Sequence, residues 1–115
     1  GFHIFDDRAN GQEAQWHVDM PFQNEGIVWE EPPINPFSFT VPLRMPRGVG
    51  GLDFKEDEQS DGMYLPYTEG NLYLSNGLFP HRIANPIQIR EGESRITLQG
   101  HGVFSTASNK AFVYF

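Results

Sequence analysis

An all-β domain with little or no helix, built as a sandwich, jelly roll or barrel, is the fold class this chain predicts, and three observations predict it. No long stretch of its 115 residues keeps the 3.6-residue apolar period of an amphipathic helix. Its 12 glycines and 9 prolines are scattered throughout and punctuate any regular element. Between them recur short runs rich in Phe, Tyr, Ile, Val and Thr, the residues that suit a pleated, half-buried surface.

Taken in order, the strand-like runs are Phe2–Phe5, Ala14–Val18, Phe37–Leu43, Gly51–Phe54, Met63–Tyr67, Asn71–Ser75, His81–Ala84, Ile87–Arg90, Ser94–Phe104 and Ala111–Phe115. Most are bounded by Gly, Pro, Asn or Asp, which end strands by turning the chain or by removing a donor. The run His81–Ala84 follows the turn residues Ser75-Asn76-Gly77, and Ile87–Arg90 and Ser94–Gly100 flank Glu91-Gly92-Glu93 as the arms of an expected hairpin. About eight to ten short strands at this spacing mean a sandwich, jelly roll or barrel. Two loops are long: Phe22–Pro36 is rich in Pro and Glu, and the strongly acidic Asp53–Asp61 reads as a solvated loop.

Size and composition narrow the function. At 13.1 kDa, residues 1–115 form a single domain with one core. There is no cysteine, so a metal site must use imidazole and carboxylate. Fifteen acidic against 8 basic side chains leave a net charge of −7 with no Lys/Arg cluster, which argues against a nucleic-acid partner. No apolar run reaches the roughly 18 residues of a membrane span, and no leader pattern opens the chain. A soluble, cytoplasmic protein is the expectation. The chain starts at Gly1 with strand-like sequence directly after it, as a trimmed core would.

Three groups of residues could carry chemistry. His17 and Asp19 lie two apart, a spacing that in a strand sets an imidazole and a carboxylate on one face, where they can converge on one ion. Alone, His-x-Asp is a short motif that recurs by chance. His81 stands at the start of a strand, where a lone histidine is usually structural. In Arg95-Ile96-Thr97-Leu98-Gln99-Gly100-His101 the alternation puts Arg95, Thr97, Gln99 and His101 on one face and Ile96 and Leu98 on the other. A half-polar surface strand explains this pattern, and so does a polar lumen holding an anion. A guanidinium with a hydroxyl two residues on suits a carboxylate, because the fork gives two parallel charge-assisted hydrogen bonds and the hydroxyl a third.

In sequence these groups read His17-x-Asp19, His81 after 64 residues, then Arg95 after 14 more with Thr97 following. This order and spacing resembles the non-haem Fe(II), 2-oxoglutarate-dependent dioxygenases. Phe39–Leu43 followed by Gly50-Gly51-Leu52-Asp53-Phe54, and Gly70-Asn71-Leu72-Tyr73-Leu74 before Pro80-His81-Arg82-Ile83, resemble further segments of that family. The likeness runs from about Trp16 to about Gly102. It implies a double-stranded β-helix of the cupin-like jelly-roll type. It also implies a facial triad of His17, Asp19 and His81 on Fe(II) with positions left open for 2-oxoglutarate and O2, and a far carboxylate of the cosubstrate on Arg95 and Thr97. The implied reaction decarboxylates 2-oxoglutarate to succinate and CO2 and hydroxylates an unactivated C–H bond of a small-molecule, amino-acid or peptide substrate. The third cosubstrate contact stays open among Gln15, Thr40 and Arg44. Arg90 rivals Arg95 as anchor, with Arg95 preferred because it opens the last long strand and carries the hydroxyl. His101, about 20 Å along that strand at roughly 3.3 Å per residue, reads as too distant to be a fourth ligand. His3 reads as structural or exposed, and Trp16 and Trp29 as packing residues.

Other readings compete. The nearest is a degenerate or truncated module of the same fold that binds metal or ligand without turnover, since the family commonly packs N-terminal helices on the larger sheet. Without them Ile96 and Leu98 would point outward uncovered, and a second copy or a missing segment is expected on that face. A cupin-like binding protein or isomerase would cluster two histidines and a glutamate, and no His-x-His occurs. A structural or carbohydrate-binding sandwich would need no converging His, Asp and Arg.

Overall fold

The structure, a computed structural model, describes residues 1–19, 35–48, 50–84 and 87–115. Trp29 and nearly all of the loop Phe22–Pro36 lie outside the described residues.

Two antiparallel sheets make up the described chain. The larger contains β1 (Phe2–Phe5), β2 (Pro36–Arg44), β5 (Tyr73–Ser75), β7 (Arg95–Ser105) and β8 (Lys110–Tyr114); the smaller contains β3 (Leu52–Phe54), β4 (Met63–Leu65) and β6 (His81–Ile83). The longest strand, β7, is the axis of the larger sheet. One edge of it pairs with β1 from Phe5↔Arg95 to Phe2↔Leu98 and with β8 from His101↔Tyr114 to Ser105↔Lys110, while β2 runs along the other edge. Beyond β2 lies β5, with Ser38 opposite Ser75 and Thr40 opposite Tyr73. The register of β2 shifts between Pro42 and Arg44, as expected where a proline without an N–H sits in an inner strand. In the smaller sheet β3 is central, flanked by β4 and β6. The Cβ that Gly51 lacks would collide with the Leu65 carbonyl, so the close approach of the chain at the start of β3 requires glycine.

The fold class is therefore all-β, with no α-helix among the described residues and a single short 3-10 turn at Asp7–Ala9. No helix among them is long and apolar enough to cross a membrane.

Strand alternation sorts the larger sheet into two unlike faces. Toward the smaller sheet go Ser38 and Thr40 of β2 and Arg95, Thr97, Gln99 and His101 of β7. Away from it go Phe2 and Ile4 of β1, opposite Leu98 and Ile96, and Leu74 of β5. Phe2, Ile4 and Leu74 are 66%, 67% and 63% exposed, so the outward apolar face expected around Ile96 and Leu98 is present and uncovered among the described residues.

Two expected strands do not form as such. Ile87–Arg90 has no ladder and is no hairpin arm. The Asn10 side chain takes the place of a partner strand, donating from Nδ2 to the Ile89 carbonyl at 2.8 Å and accepting the Ile89 N–H at 2.7 Å. The run's alternation is real but serves a small core, in which Ile87 and Ile89 pack with Ala9 against Phe5 and Ile83. Among the described residues Ala14–Val18 makes a single bridge, His17 to His81. Its Trp16 ring is held instead between Lys55 Nζ at 4.6 Å and the Arg82 guanidinium at 4.5 Å, which fits its reading as a packing residue. In the acidic loop, Asp57 accepts the backbone N–H groups of Gln59 and Ser60, both at 2.8 Å, as a local turn would.

Candidate metal centre

The bridge between His17 and His81 brings the first two candidate ligands together. Each backbone N–H donates to the other's carbonyl, at 3.1 Å from His17 and 2.9 Å from His81. The Asp19 N–H then donates to the Gly77 carbonyl at 2.9 Å, which places the third candidate beside them. The two imidazoles are held in the same way. Nδ1 of His17 lies 3.0 Å from the Gln15 carbonyl and Nδ1 of His81 lies 2.9 Å from the Phe79 carbonyl, in each case two residues upstream. A carbonyl only accepts, so each Nδ1 carries a proton and each Nε2 is left to serve as a ligand. Those nitrogens turn to the same carboxylate: His17 Nε2 is 3.9 Å from Asp19 Oδ1, and His81 Nε2 is 3.5 Å from Asp19 Oδ2. The three ligand atoms lie within 4.8 Å of one another. This is the donor set, two imidazoles and a carboxylate, that suits a divalent first-row ion with open positions.

Electrostatics keeps Asp19 ionised. Burial alone would raise its pKa, but hydrogen bonds from His81 and Ser38 and the nearby charges of His81 and His101 outweigh burial and bring it to about 2. Burial pulls His81 down, and the Asp19 carboxylate and the Phe79 carbonyl more than reverse this, so its pKa ends above the ordinary value. The triad is not evenly enclosed: the His17 side chain is 57% exposed against 12% for His81 and 16% for Asp19.

Gly77 sets how closely Asp19 can seat. It is buried with φ +71°, and a Cβ there would lie 2.7 Å from Ser38 Oγ and 2.9 Å from Asp19 Cβ. Both the backbone and the space are wrong for any other residue. Gly77→Ala is therefore expected to displace Asp19 and to weaken divalent-metal binding at least tenfold, and calorimetric titration with Co(II) measures it. Affinity equal to wild type would show that Asp19 does not depend on this turn.

A cavity of about 450 Å³ lies between the sheets. The triad lines it together with Ser38, Thr40, Gln99 and His101 from the larger sheet and Leu52 and Phe54 from the smaller. Arg95 and Thr97 are 2% and 0% exposed and are not part of the cavity lining. Arg95 Nε donates to the Gly50 carbonyl at 2.8 Å and Nη1 lies 3.4 Å from Thr97 Oγ1, while Nη2 is buried with no partner among the described residues. The guanidinium is 5.7 Å from the ring of Tyr67, which lines the cavity together with Thr40. Burial lowers the Arg95 pKa and raises that of Tyr67.

Of the open alternatives for the third contact, Thr40 lies on the cavity wall. Arg44 is exposed at the end of β2, and Gln15 is exposed with its carbonyl engaged by His17. Arg90 is exposed. His3 is exposed and reaches the cavity rim. One expectation needs correcting: His101 is not remote. Its Nδ1 stands 3.9 Å from Asp19 Oδ2, as near as His17 Nε2 stands to Oδ1. The long separation from Arg95 is what carries His101 to the triad's end of β7. Ser38 and Tyr67 were also missed. Ser38 had a readable signal, since it shares the alternating face of Thr40, whereas nothing local marks Tyr67.

Fold and site together define an all-β domain with a candidate two-histidine, one-carboxylate centre at the wall of an inter-sheet cavity. No protein-family model matches the chain, and no curated protein matches it.

Proposed function

We propose that this chain is the double-stranded β-helix core of an Fe(II)- and 2-oxoglutarate-dependent oxygenase that hydroxylates an unactivated C–H bond. The observation that carries the choice of an oxoacid-dependent reaction over a bare metal site is the buried Arg95 guanidinium, whose Nη2 has no partner among the described residues. A buried charge with idle donors costs free energy, and a carboxylate supplies both the countercharge and the acceptors. His17 Nε2, His81 Nε2 and an Asp19 oxygen hold Fe(II); Arg95 and Thr97 hold the far carboxylate of 2-oxoglutarate. When bound, the iron and cosubstrate supply the oxidising chemistry, with succinate and CO2 as co-products and O2 as oxidant. The protein's own part is placement. The Gln15 and Phe79 carbonyls keep both imidazoles in the ligating tautomer, Tyr67 and Thr40 shape the wall before Arg95, and Leu52, Phe54 and Phe79 exclude water beside the triad. A small-molecule, amino-acid or peptide substrate is the class this cavity suits.

A second reading, a module that binds metal or ligand without turnover, is favoured by one observation: Arg95 lies outside the cavity lining. One titration separates the two. Fe(II) followed by 2-oxoglutarate, added without oxygen, is expected to give the visible charge-transfer band of the chelate. Folded protein that binds Fe(II) and gives no band supports the second reading, and folded protein that binds no metal overturns the oxygenase and leaves of the second reading only a module that binds ligand without metal.

A further inference from the structure

The site holds two polar residues that the metal reading leaves unassigned. Ser38 and His101 face each other in register across β2 and β7. Ser38 Oγ is 2.7 Å from Asp19 Oδ2 and 3.0 Å from His101 Nδ1, and that nitrogen is 3.9 Å from the same Oδ2. A hydroxyl has one proton to give. Asp19 is ionised and can only accept, so the Ser38 proton points to Oδ2, and the oxygen then accepts from His101 Nδ1–H. The chain of donors runs from imidazole through hydroxyl to carboxylate.

We propose that Ser38 and His101 are positioning residues for Asp19, a relay that pins Oδ2 and turns the carboxylate to the ion through a single oxygen; this rests on the reading of His17, Asp19 and His81 as a metal centre. Three features carry it. The relay is built on two paired strands of the larger sheet, so its base is fixed by backbone hydrogen bonds, whereas Asp19 sits on a segment held by the His17 bridge and its own N–H. Only glycine at 77 leaves space for Ser38 Oγ and Asp19 to meet, since a Cβ there would lie 2.7 Å from Ser38 Oγ and 2.9 Å from Asp19 Cβ. The hydroxyl lies between the imidazole and the carboxylate, the wrong order for a nucleophilic serine, in which the imidazole stands between the other two. The hydroxyl is thus a holder of the carboxylate. Outer partners of this kind fix ligand orientation, and their loss typically costs about 10–100-fold in metal affinity.

The test is a Co(II) titration of the full chain, read by calorimetry and by the visible d–d spectrum, with the thermal midpoint of the metal-free protein measured alongside. Ser38→Ala is expected to bind Co(II) about 10–100-fold more weakly with a changed d–d envelope, and His101→Phe to move in the same direction. Ser38→Thr keeps the hydroxyl and is expected to retain wild-type affinity and spectrum, a rescue that a purely structural role would not give. If Ser38→Ala and His101→Phe both bind as wild type with the wild-type spectrum, the relay is overturned and the metal centre stands. Should the wild type itself bind no Co(II), the metal centre falls and the relay with it.

Discussion

Replacing Asp19 with alanine is expected to abolish divalent-metal binding while leaving both sheets intact. The carboxylate is the only anionic member of the cluster, and it is the group toward which His17 Nε2 and His81 Nε2 both turn. Loss of an outer partner costs about 10–100-fold, and loss of the charged ligand itself is expected to exceed that range. Asp19→Asn keeps the shape and removes the charge, so it separates geometry from electrostatics. The same variant has a signature without metal. The Asp19 pKa in the folded chain is lowered from its ordinary value of 3.8 to about 2. A depressed carboxylate contributes stability that is present above the unfolded value and lost as pH falls through the folded one. Metal-free wild type is therefore expected to lose stability between about pH 4 and pH 2 by on the order of 2 kcal/mol from this group, and Asp19→Asn to lack that loss. His81 works in the opposite sense. Its raised pKa means that its contribution is full below the unfolded value and disappears as pH rises through the folded one. Metal and proton compete for its Nε2, so metal affinity is expected to climb with pH across the same interval. Thermal melts from pH 2 to pH 8 and Co(II) titrations at three pH values check both limbs, and an unchanged acid limb in Asp19→Asn would remove the electrostatic account.

The second large effect is expected at Arg95. Arg95→Met fills the same space without charge. It deletes the Nε bond to the Gly50 carbonyl, worth about 1 kcal/mol, and it relieves a buried cation whose Nη2 has no partner among the described residues. Replacing buried charges by well-packed apolar groups is often neutral or stabilising by about 1–4 kcal/mol, so the metal-free variant is expected to melt at or above the wild-type midpoint. Binding of the proposed cosubstrate should respond oppositely. Removing one partner of a buried charge pair costs about 2–5 kcal/mol, so 2-oxoglutarate affinity is expected to fall roughly 100-fold, with Co(II) affinity within about threefold of wild type because Arg95 lies away from the triad. Arg90→Met, at an exposed position, is expected to change neither. A more stable protein that no longer binds the oxoacid would mark Arg95 as kept for a ligand. A less stable one with unchanged oxoacid binding would mark it as structural and move the anchor elsewhere.

Much of the fold was legible because its signal is local. The runs Phe2–Phe5, Phe37–Leu43 and Ser94–Phe104 match strands within a residue or two, since apolar alternation bounded by Gly and Pro reports directly on a two-faced sheet. Ile87–Arg90 misled for the same reason: alternation records that Ile87 and Ile89 are buried, and is silent on whether a strand or the Asn10 side chain supplies their backbone partners. In the site, His17 and Asp19 converge although their segment is no strand, because an extended backbone keeps the i, i+2 relation wherever it runs. His101 went the other way. Distance along β7 was counted from Arg95, and only the pairing of β2 with β7 reveals that the far end of the strand is where Asp19 sits. Tyr67 and the Gly50 carbonyl reach Arg95 through tertiary packing that leaves no periodic trace.

The lone bridge between His17 and His81 has a thermodynamic side. Among the described residues the segment carrying two of the three candidate ligands has no ladder to the smaller sheet: it is held by this bridge, by the Asp19 N–H and by the Trp16 ring between Lys55 and Arg82, so its local opening free energy is set by a few contacts. Any ion held jointly by His17, Asp19 and His81 closes a loop between that segment and β6 and adds its binding free energy to those few bonds. Occupancy and order at this edge would then be one equilibrium, and such an ion would rivet the ligand-bearing segment to the sheet.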